Sequence, residues 1–410
     1  MQSNHSARAA RRAPAMLSLA IAAAMMAPAP AGAASAYNPE TGKTARYITY
    51  DPALAAADKA ATIAAGLRAP GTITYDREGV PVIQAANDLD AAYLLGYAHA
   101  RDRFFQMDYF RRVPSGTLAE LLGPAALAND VQLRTLGLRR AAFAAWVALG
   151  DEPRGILKAY ADGVNFWLST NPLPPEYGAI ETTRALAWSP VDSIVMAKLL
   201  AFQLSFDLDT DFTIKLGAYQ QAGQAAGFNG AALFFEDTHR SQPGDNRVSI
   251  PGFQPSAGGG AAASVAVADK SATAPVVSPE LQAMAQALQD SMRANPWIAP
   301  ALERRASRKD SNRRIVDGTK TASGRPILSN DPHLGLDTPT IFQEVHVVSS
   351  GSGMNVVGAS FPGTPAVLLG CTERFCWGLT TNPLDVTDAY QESFIVNTYG
   401  LPTHTIYRGQ

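Results

Sequence analysis

The sequence predicts an α+β protein in which a mostly helical first part precedes a β-rich second part. Three stretches carry helix signals, and the longest is NDLDAAYLLGYAHARDRFFQMDYFRR, which begins at residue 87. After residue 311 short β-type runs follow one another at turn-like spacing, among them IFQEVHVVSS and MNVVGASF. Because helices and strands are segregated along the chain and do not alternate, an α+β fold is favoured over a parallel α/β sheet.

The N-terminus has the features of a secretory leader. Three arginines in ARAARR precede the apolar run MLSLAIAAAMM. That run is shorter than the ~20 residues that span a bilayer. Small-x-small sites follow, after Ala33 and after Ala36. We therefore expect residues 1–36 to be a cleaved signal peptide and the mature protein to be periplasmic or secreted.

Charge and motif content argue against several function classes. The formal net charge is −2 and no long basic run occurs, so we expect no nucleic-acid partner. We expect no membrane span, because the apolar run MLSLAIAAAMM is too short to cross a bilayer. We expect no organic cofactor, because glycine-rich nucleotide loops are missing from the sequence, as are zinc motifs. The sequence also has no Gly-x-Ser-x-Gly, which argues against a Ser-His-Asp hydrolase of the α/β type.

The first helix is predicted to follow a hairpin. Residues 71–86, GTITYDREGVPVIQAA, place β-rich runs on both sides of Gly-Val-Pro and predict strand, turn and strand. Asn87 or Asp88 can cap the helix, and Arg111 and Arg112 suit its last turn. The residues that share one face of this helix are Leu94, Ala98, Arg101 and Phe105.

Two further helices have clear starts. In WSPVDSIVMAKLLAFQLSF the cap is Ser189, followed by Pro190. In SPELQAMAQALQDSMRA, Ser278 is the cap. The apolar stripe of that helix is Leu281, Met284, Leu288 and Met292. Between the two helices, residues 255–279 form a Gly/Ala/Ser/Pro tract that predicts a linker.

The two cysteines, Cys371 and Cys376, leave two interpretations open. In an exported protein they could form a disulfide across a tight hairpin in CTERFC. Alternatively, both are small buried apolar side chains, which is the interpretation that the sequence favours. Neither has neighbours at metal-ligand spacing.

Three blocks of sequence occur in an informative order. The first, residues 75–123, contains Asp-x-x-Gly-Val-Pro, Gly-Tyr-x-x-Ala-x-Asp-Arg, Gln-Met, Arg-Arg and Gly-x-x-Ala-Glu. The second runs from Ser311-Asn312 to Asp331-Pro332-His333, and the third is residues 362–392. Together they resemble the penicillin acylase family of N-terminal nucleophile amidohydrolases. The resemblance implies a four-layer αββα sandwich with a mostly helical N-terminal chain.

The resemblance also implies that the chain is cut between Asp310 and Ser311, so that Ser311 becomes a new N-terminus. A serine hydroxyl is a weak nucleophile that needs a base. A free α-amino group has a pKa of about 7.7–8.0 and is partly unprotonated near neutral pH. One residue would then supply both nucleophile and base. The implied product is a heterodimer of two chains cut from one precursor. Its first chain would be residues 37–237, and its β-rich catalytic chain would start with residues 311–410. Residues 238–310 would be an excised spacer between them.

By the same resemblance, three more residues support catalysis. A backbone N–H just after WGLT, that of Thr381 or, one position earlier, Thr380, would stabilise the oxyanion. Asn312 would help fix the position of Ser311. His333 matches a histidine near the nucleophile, for which a packing role is the alternative.

LDVTD matches the calcium-binding loop of the family. Asp385 and Asp388 would supply carboxylates and Thr387 a backbone carbonyl, donors that suit a structural Ca²⁺ ion. Asp209 is the predicted further acid from the first part of the chain. The alternative for this loop is a turn with ordinary surface acids.

Several positions depart from the family. Asp310 stands where glycine is common, and Arg313-Arg314 stand where small or aromatic residues are common. Family members continue for several hundred residues past residue 410, and the side-chain asparagine of their oxyanion hole lies there. We therefore expect the fold to be incomplete at its C-terminus and residues 1–410 alone to be inactive and poorly folded.

The function implied by the resemblance is hydrolysis of linear amides by an exported enzyme. Substrates would be acylated small molecules of the penicillin, cephalosporin or N-acyl homoserine lactone type. Apolar residues near the nucleophile would favour an apolar acyl group, with core packing as their alternative role: Leu334, Phe342 and Leu379. The alternative function, motivated by the departures, is a degenerate family member that binds or supports without catalysis.

Overall fold

The chain divides into two compact units, Met1–Leu204 with Arg304–Thr381 and Ser205–Glu303 with Asn382–Gln410. The computed structural model describes three two-residue strands by their backbone and, beyond them, residues 66–204, 209–239, 274–296, 298–299, 311–335, 337–380 and 394–406. The predicted signal peptide lies outside the described residues, as does most of the predicted spacer. In the part of the chain that is described, no helix combines the length and apolarity needed to cross a bilayer.

The described elements of the first unit are seven α-helices, twelve strands and two short 3₁₀ turns. Its helices are α1 (Asp88–Ser115), α2 (Ala119–Leu122), α3 (Leu127–Leu136), α4 (Leu138–Ala148), α5 (Asp151–Thr170), α6 (Pro175–Ala179) and α7 (Pro190–Leu204). Its strands are β1 (Tyr37–Asn38), β2 (Lys43–Thr44), β3 (Tyr47–Ile48), β4 (Thr72–Tyr75), β5 (Pro81–Ala85), β6 (Ala185–Leu186), β7 (Asn312–Val316), β8 (Ile327–Asp331), β9 (Gln343–Ser349), β10 (Met354–Ser360), β11 (Val367–Cys371) and β12 (Cys376–Trp377). The 3₁₀ turns are Pro124–Ala126 and Gly318–Lys320.

The main sheet has six strands in the order β12-β11-β10-β9-β5-β4. All neighbours are antiparallel except β5 and β9, which run parallel with Val82 opposite His346. The predicted hairpin β4–β5 is confirmed, with Gly79 at φ +82° in its turn. It extends the sheet of the second part, so the two parts of the sequence form one α+β structure. The α+β class is thereby confirmed.

Helix α1 packs on α5 and on one face of this sheet. Its contact with α5 is close because glycines face backbone: a Cβ on Gly96 would lie 3.0 Å from the carbonyl carbon of Tyr160, and one on Gly163 would lie 2.8 Å from that of Tyr93. The core contains fully buried large side chains, each of which stabilises the fold by about 1.5–3 kcal/mol: Ile83, Leu94, Phe104, Met107, Tyr160 and Val345.

The N-terminus of α1 is capped as predicted, since the Asn87 side chain accepts a hydrogen bond from the Asp90 backbone N–H at 2.9 Å. On the predicted face, Leu94 and Ala98 are buried, whereas Arg101 is exposed. The helix does not end at Arg112. It continues to Ser115 and stops at Gly116, whose φ of +62° suits glycine.

The arginines near the end of α1 are buried in an ion cluster. Asp108 contacts Arg111 at 2.7 Å and Arg112 at 3.1 Å, and it accepts a hydrogen bond from the Tyr177 hydroxyl at 2.7 Å. Burial alone would raise the pKa of Asp108, but the two guanidinium charges outweigh burial and lower it to about 2. Asp192 neutralises the far side of Arg111 at 3.2 Å.

The cysteines form a disulfide, so the interpretation that the sequence favoured is wrong. Cys371 and Cys376 face each other directly in the β11–β12 pair, with Cα atoms 4.0 Å apart. The turn between them is also held by Thr372, whose backbone N–H donates to the Phe375 carbonyl at 2.8 Å. Strand pairing thus supplies the proximity that spacing alone does not reveal.

The second unit contains α8 (Asp209–Ala226), α9 (Gly230–His239), α10 (Pro279–Ala294) and a hairpin, β13 (Phe394–Val396) with β14 (Pro402–Thr405). The predicted cap of α10 is confirmed, since Ser278 Oγ accepts from the Leu281 N–H at 3.1 Å. The predicted apolar stripe is confirmed at Leu281 and Met292, which pack inward, and is wrong in its middle, where Met284 and Leu288 are 66% and 50% exposed. The buried face is rotated because polar side chains dock it on α8, where Gln289 donates to Asp211.

Candidate active site

Ser311 lies at the open end of the hairpin β7–β8, which we call the nucleophile hairpin. The register pairs Asn312 with Asp331, so Ser311 just before β7 and His333 just after β8 lie side by side. The His333 backbone N–H donates to Ser311 Oγ at 3.3 Å. At the closed end, Asp317 caps the turn by accepting from the Thr319 backbone N–H. The hairpin therefore presents the serine that the sequence singled out.

The imidazole of His333 is held by a carboxylate. Its Nε2 lies 2.9 Å from Asp331 Oδ2 and 3.4 Å from the Asn312 side-chain amide. Because a carboxylate only accepts, the shorter contact is a hydrogen bond in the form of the ring that carries a proton on Nε2. The structure thus brings Asn312, His333 and Ser311 together, and the contact of His333 with Ser311 Oγ runs through its main chain. Sequence reasoning gave no role to Asp331.

A side-chain amide joins the nucleophile hairpin to the segment after β12. Asn330 Nδ2 donates to the Asn312 carbonyl at 3.2 Å and to the Leu379 carbonyl at 3.0 Å, while its Oδ1 accepts from the Leu379 N–H at 2.9 Å. Sequence reasoning missed Asn330. Its cross-strand pairing with Arg313 is a property of the register and has no local sequence signal.

Arg313 adds a second tie, since its Nη1 donates to the Gly378 carbonyl at 2.9 Å. Gly378 itself has no room for a side chain, because a Cβ there would lie 2.6 Å from Cγ of Asn330. The arginine that departs from the family pattern therefore has a structural contact in this chain. Together Arg313 and Asn330 hold residues 378–379 against the nucleophile hairpin.

The predicted oxyanion donor directly follows this tied segment. The Leu379 N–H is already bonded to Asn330, and the two predicted positions, Thr380 and Thr381, come after it. Thr380 is described and exposed. Thr381 lies outside the described residues, and its role stays a prediction.

The predicted calcium ligands cannot be placed together. Asp385, Thr387 and Asp388 lie outside the described residues, and Asp209 is the first residue of α8, with its side chain outside them. Among the side chains that the structure describes, no cluster of three or more His, Cys, Asp or Glu forms a metal site. The calcium site stays a prediction that depends on oxygen donors in the sequence.

His99 is a buried polar residue that sequence reasoning missed. Ser360 Oγ donates to the Gln343 carbonyl at 3.0 Å and accepts from His99 Nε2 at 2.8 Å. The Tyr160 hydroxyl donates to His99 Nδ1 at 2.8 Å and accepts from the Gly363 N–H at 2.8 Å. Burial, aided by Arg103, lowers the pKa of His99 to about 3, so the ring is neutral. These partners belong to α5, the sheet and the segment after β10. His99 therefore stabilises the packing of α1 against these elements.

The comparisons with known proteins identify the class. The family model described as Penicillin amidase matches residues 70–410, and the chain belongs to that family. Penicillin acylase 2 proenzyme from Pseudomonas sp. strain SE83 is 30% identical over 331 residues, which are 80% of this chain and 38% of the relative. Acyl-homoserine lactone acylase QuiP from Pseudomonas aeruginosa is 28% identical over 335 residues, 80% of this chain and 35% of the relative.

A solved structure also matches: the thermostable penicillin G acylase from Alcaligenes faecalis in tetragonal form, at 27% identity with a TM-score of 0.36. The match covers 45% of this chain and 97% of that chain. By contrast, the chain spans well under half the length of the two curated relatives above, at 38% and 35%.

Proposed function

We propose that the chain is part of an exported amidohydrolase that cleaves linear amides through an N-terminal serine, exposed by autocatalytic cleavage before Ser311. One observation carries the proposal: the nucleophile hairpin brings Ser311, Asn312 and His333 to one end. The segment that precedes the predicted oxyanion donor is tied to the same hairpin. Ser311 and residues 378–379, which lead to the predicted donor, are thus held in one local structure.

Cleavage of the precursor starts with attack of Ser311 Oγ on the carbonyl carbon of Asp310. The C–N bond of that peptide breaks, the nitrogen becomes the α-amino group of Ser311, and the acyl group moves to Oγ. Water then hydrolyses this ester, which releases the carboxylate of Asp310 and the free hydroxyl. The reaction consumes one water and needs no other reactant.

Turnover uses the same hydroxyl. The α-amino group takes the proton of Ser311 Oγ as Oγ attacks the substrate carbonyl, and the Thr381 N–H stabilises the oxyanion. Collapse breaks the amide C–N bond, and the leaving amine receives the proton. Water, deprotonated by the same amino group, hydrolyses the acyl ester and restores the enzyme. Because this base has an ordinary pKa of about 7.7–8.0, kcat/KM should rise through that range.

Acylated small molecules are the proposed substrates. The relatives' names include a penicillin acylase and an acyl-homoserine lactone acylase. Leu334 follows His333 and is partly buried, and Leu379, clamped to the hairpin, is 53% exposed, so both can contact an apolar acyl chain. The mature enzyme would be periplasmic or secreted, a heterodimer of cut chains with a structural Ca²⁺ ion held by Asp385, Thr387, Asp388 and Asp209.

The test uses the complete gene product, a panel of penicillins and N-acyl homoserine lactones, and detection of the released amine. We expect Ser311→Ala to block both the cut and turnover. The matched control is Ser329→Ala, an exposed serine of the same hairpin, which should be cut and active. Turnover by Ser311→Ala would refute the proposal. A wild-type protein that is folded, uncut and inactive would favour the non-catalytic alternative.

A further inference from the structure

We propose that Asn330 is a positioning residue that fixes the oxyanion segment relative to the nucleophile. The inference rests on the proposed function. Asn330 is partly buried and does not contact Ser311 in any hydrogen bond of the described residues. It acts through the backbone of Leu379.

The geometry is that of a two-point clamp. Asn330 both donates to the Leu379 carbonyl and accepts from the Leu379 N–H, at 3.0 Å and 2.9 Å. A peptide unit is planar and trans, so fixing the Leu379 carbonyl also fixes the direction of the Thr380 N–H in the same unit. One side chain thereby orients the peptide unit that leads to the predicted donor.

The third hydrogen bond of Asn330 links the oriented segment to the residue next to the nucleophile. Its Nδ2 also donates to the carbonyl of Asn312, the residue that follows Ser311, at 3.2 Å. The same amide group therefore contacts the backbone on both sides of the predicted site. A shift of the donor segment relative to Ser311 requires one of these bonds to lengthen.

The folding of the hairpin does not depend on this side chain. The backbone ladder pairs five residues of β7 with five of β8, from Asn312 with Asp331 to Val316 with Ile327. Loss of the Asn330 side chain leaves that ladder in place and releases Leu379, while Arg313 still holds the Gly378 carbonyl. A positioning role thus predicts a loss in kcat, whereas a purely structural role predicts a loss of folded protein.

Asn330→Ala in the complete gene product is the first variant. Misplacement of a catalytic donor by about 1 Å costs on the order of 10²-fold in rate. We expect kcat to fall by about that factor and KM to change by less than about threefold. Turnover is expressed per molecule that begins at Ser311, counted by mass spectrometry. Ser329→Ala, the exposed neighbour on β8, is the matched control and should match wild type.

A second variant disrupts the contact between Asn330 and Leu379 from the segment after β12. Gly378→Ala places a Cβ 2.6 Å from Cγ of Asn330, so it should displace the clamp and lower kcat similarly. Because both changes break one contact, the double variant should lose less than about tenfold beyond the worse single variant. Asn330→Asp keeps the acceptor and loses the donor, and it should also lower kcat.

Each result decides the inference. Wild-type kcat in Asn330→Ala overturns it, as does a loss that only follows the unfolded fraction in circular dichroism. Independent, multiplying losses in the double variant overturn it as well. If Asn330→Ala does not fold, Asn330→Asp and Gly378→Ala carry the same comparison. Activity in Ser311→Ala refutes the proposed function, whereas an inactive Ser311→Ala with a fully active Asn330→Ala refutes only the role of Asn330.

Discussion

The buried core around helix α1 (Asp88–Ser115), called the α1 core below, and the nucleophile hairpin belong to one unit but differ in how far their polar side chains are buried. In α1, Asp108 and Arg111 are buried with their charges neutralised, and His99 has a partner on both ring nitrogens. All five residues of β7 are exposed, and the hairpin is tied to the sheet edge by the side chains of Arg313 and Asn330. The first block of family sequence thus maintains the fold, and the second carries the proposed chemistry.

The largest difference between the two regions should appear with Ser311→Ala. We expect turnover to fall by on the order of 10⁶-fold, as for loss of other serine nucleophiles. The free energy of unfolding should not fall by more than about 0.5 kcal/mol, because the hydroxyl is not part of the core and the uncut chain loses no covalent link. Steady-state kinetics and chemical denaturation of the same preparation measure both. A large loss of stability would contradict the separation of fold from chemistry.

The converse change is Asp108→Asn in the α1 core. Removing this charge leaves two buried guanidinium groups without their shared partner, which should destabilise the protein by about 3–5 kcal/mol. Asp151→Asn, an exposed carboxylate in the first turn of α5, is the control and should cost less than about 1 kcal/mol. Urea denaturation measures both variants. Equal losses would show that burial of the cluster has no energetic consequence.

The stability of the α1 core should depend on pH through His99. Its folded pKa of about 3 lies below the ordinary value of 6.5, so only the unfolded chain binds this proton between those values. Stability is therefore full above pH 6.5 and falls by about 1.4 kcal/mol per pH unit below it. Asp108 would add its own loss only below pH 3.8. Denaturation at pH values from 7 to 5 gives the free energy of unfolding as a function of pH, and its slope should be shallower in His99→Gln than in the wild type. An unchanged slope would contradict a neutral His99.

The smallest effect is expected for the disulfide at the edge of the sheet. Replacing Cys371 and Cys376 by serine opens a short loop, which should cost about 1–2 kcal/mol. Turnover should stay near wild type, because Thr372 still holds the turn and Asn330 still holds Leu379. Thermal unfolding and steady-state kinetics test this. A collapse of turnover would mean that the disulfide, and not the amide clamp, positions the donor segment.

Local signals predicted much of the fold. Caps such as Asn87 and Ser278, and the strands β7 to β12, depend on residues close in sequence and agree with the structure. The parallel pairing of β5 with β9 was not predictable, because its partners are distant along the chain. The middle of the α10 stripe, Met284 and Leu288, was wrong for a related reason: packing against α8 decides which face is buried.

The candidate site was predicted in the same uneven way. Ser311, Asn312 and His333 carry the family resemblance and meet in the structure. Asn330 gave no signal, because its partner Leu379 is 49 residues away. His99 stayed hidden because its partners Tyr160 and Ser360 are 61 and 261 residues away. Residues whose role depends on distant contacts need the fold before they can be recognised.

The central claim is that a serine freed by peptide cleavage supplies both nucleophile and base. N-terminal sequencing of the purified, active gene product tests it most directly. We predict that one chain begins Ser-Asn-Arg-Arg, at Ser311. Active protein in which the bond between Asp310 and Ser311 is intact would contradict the claim.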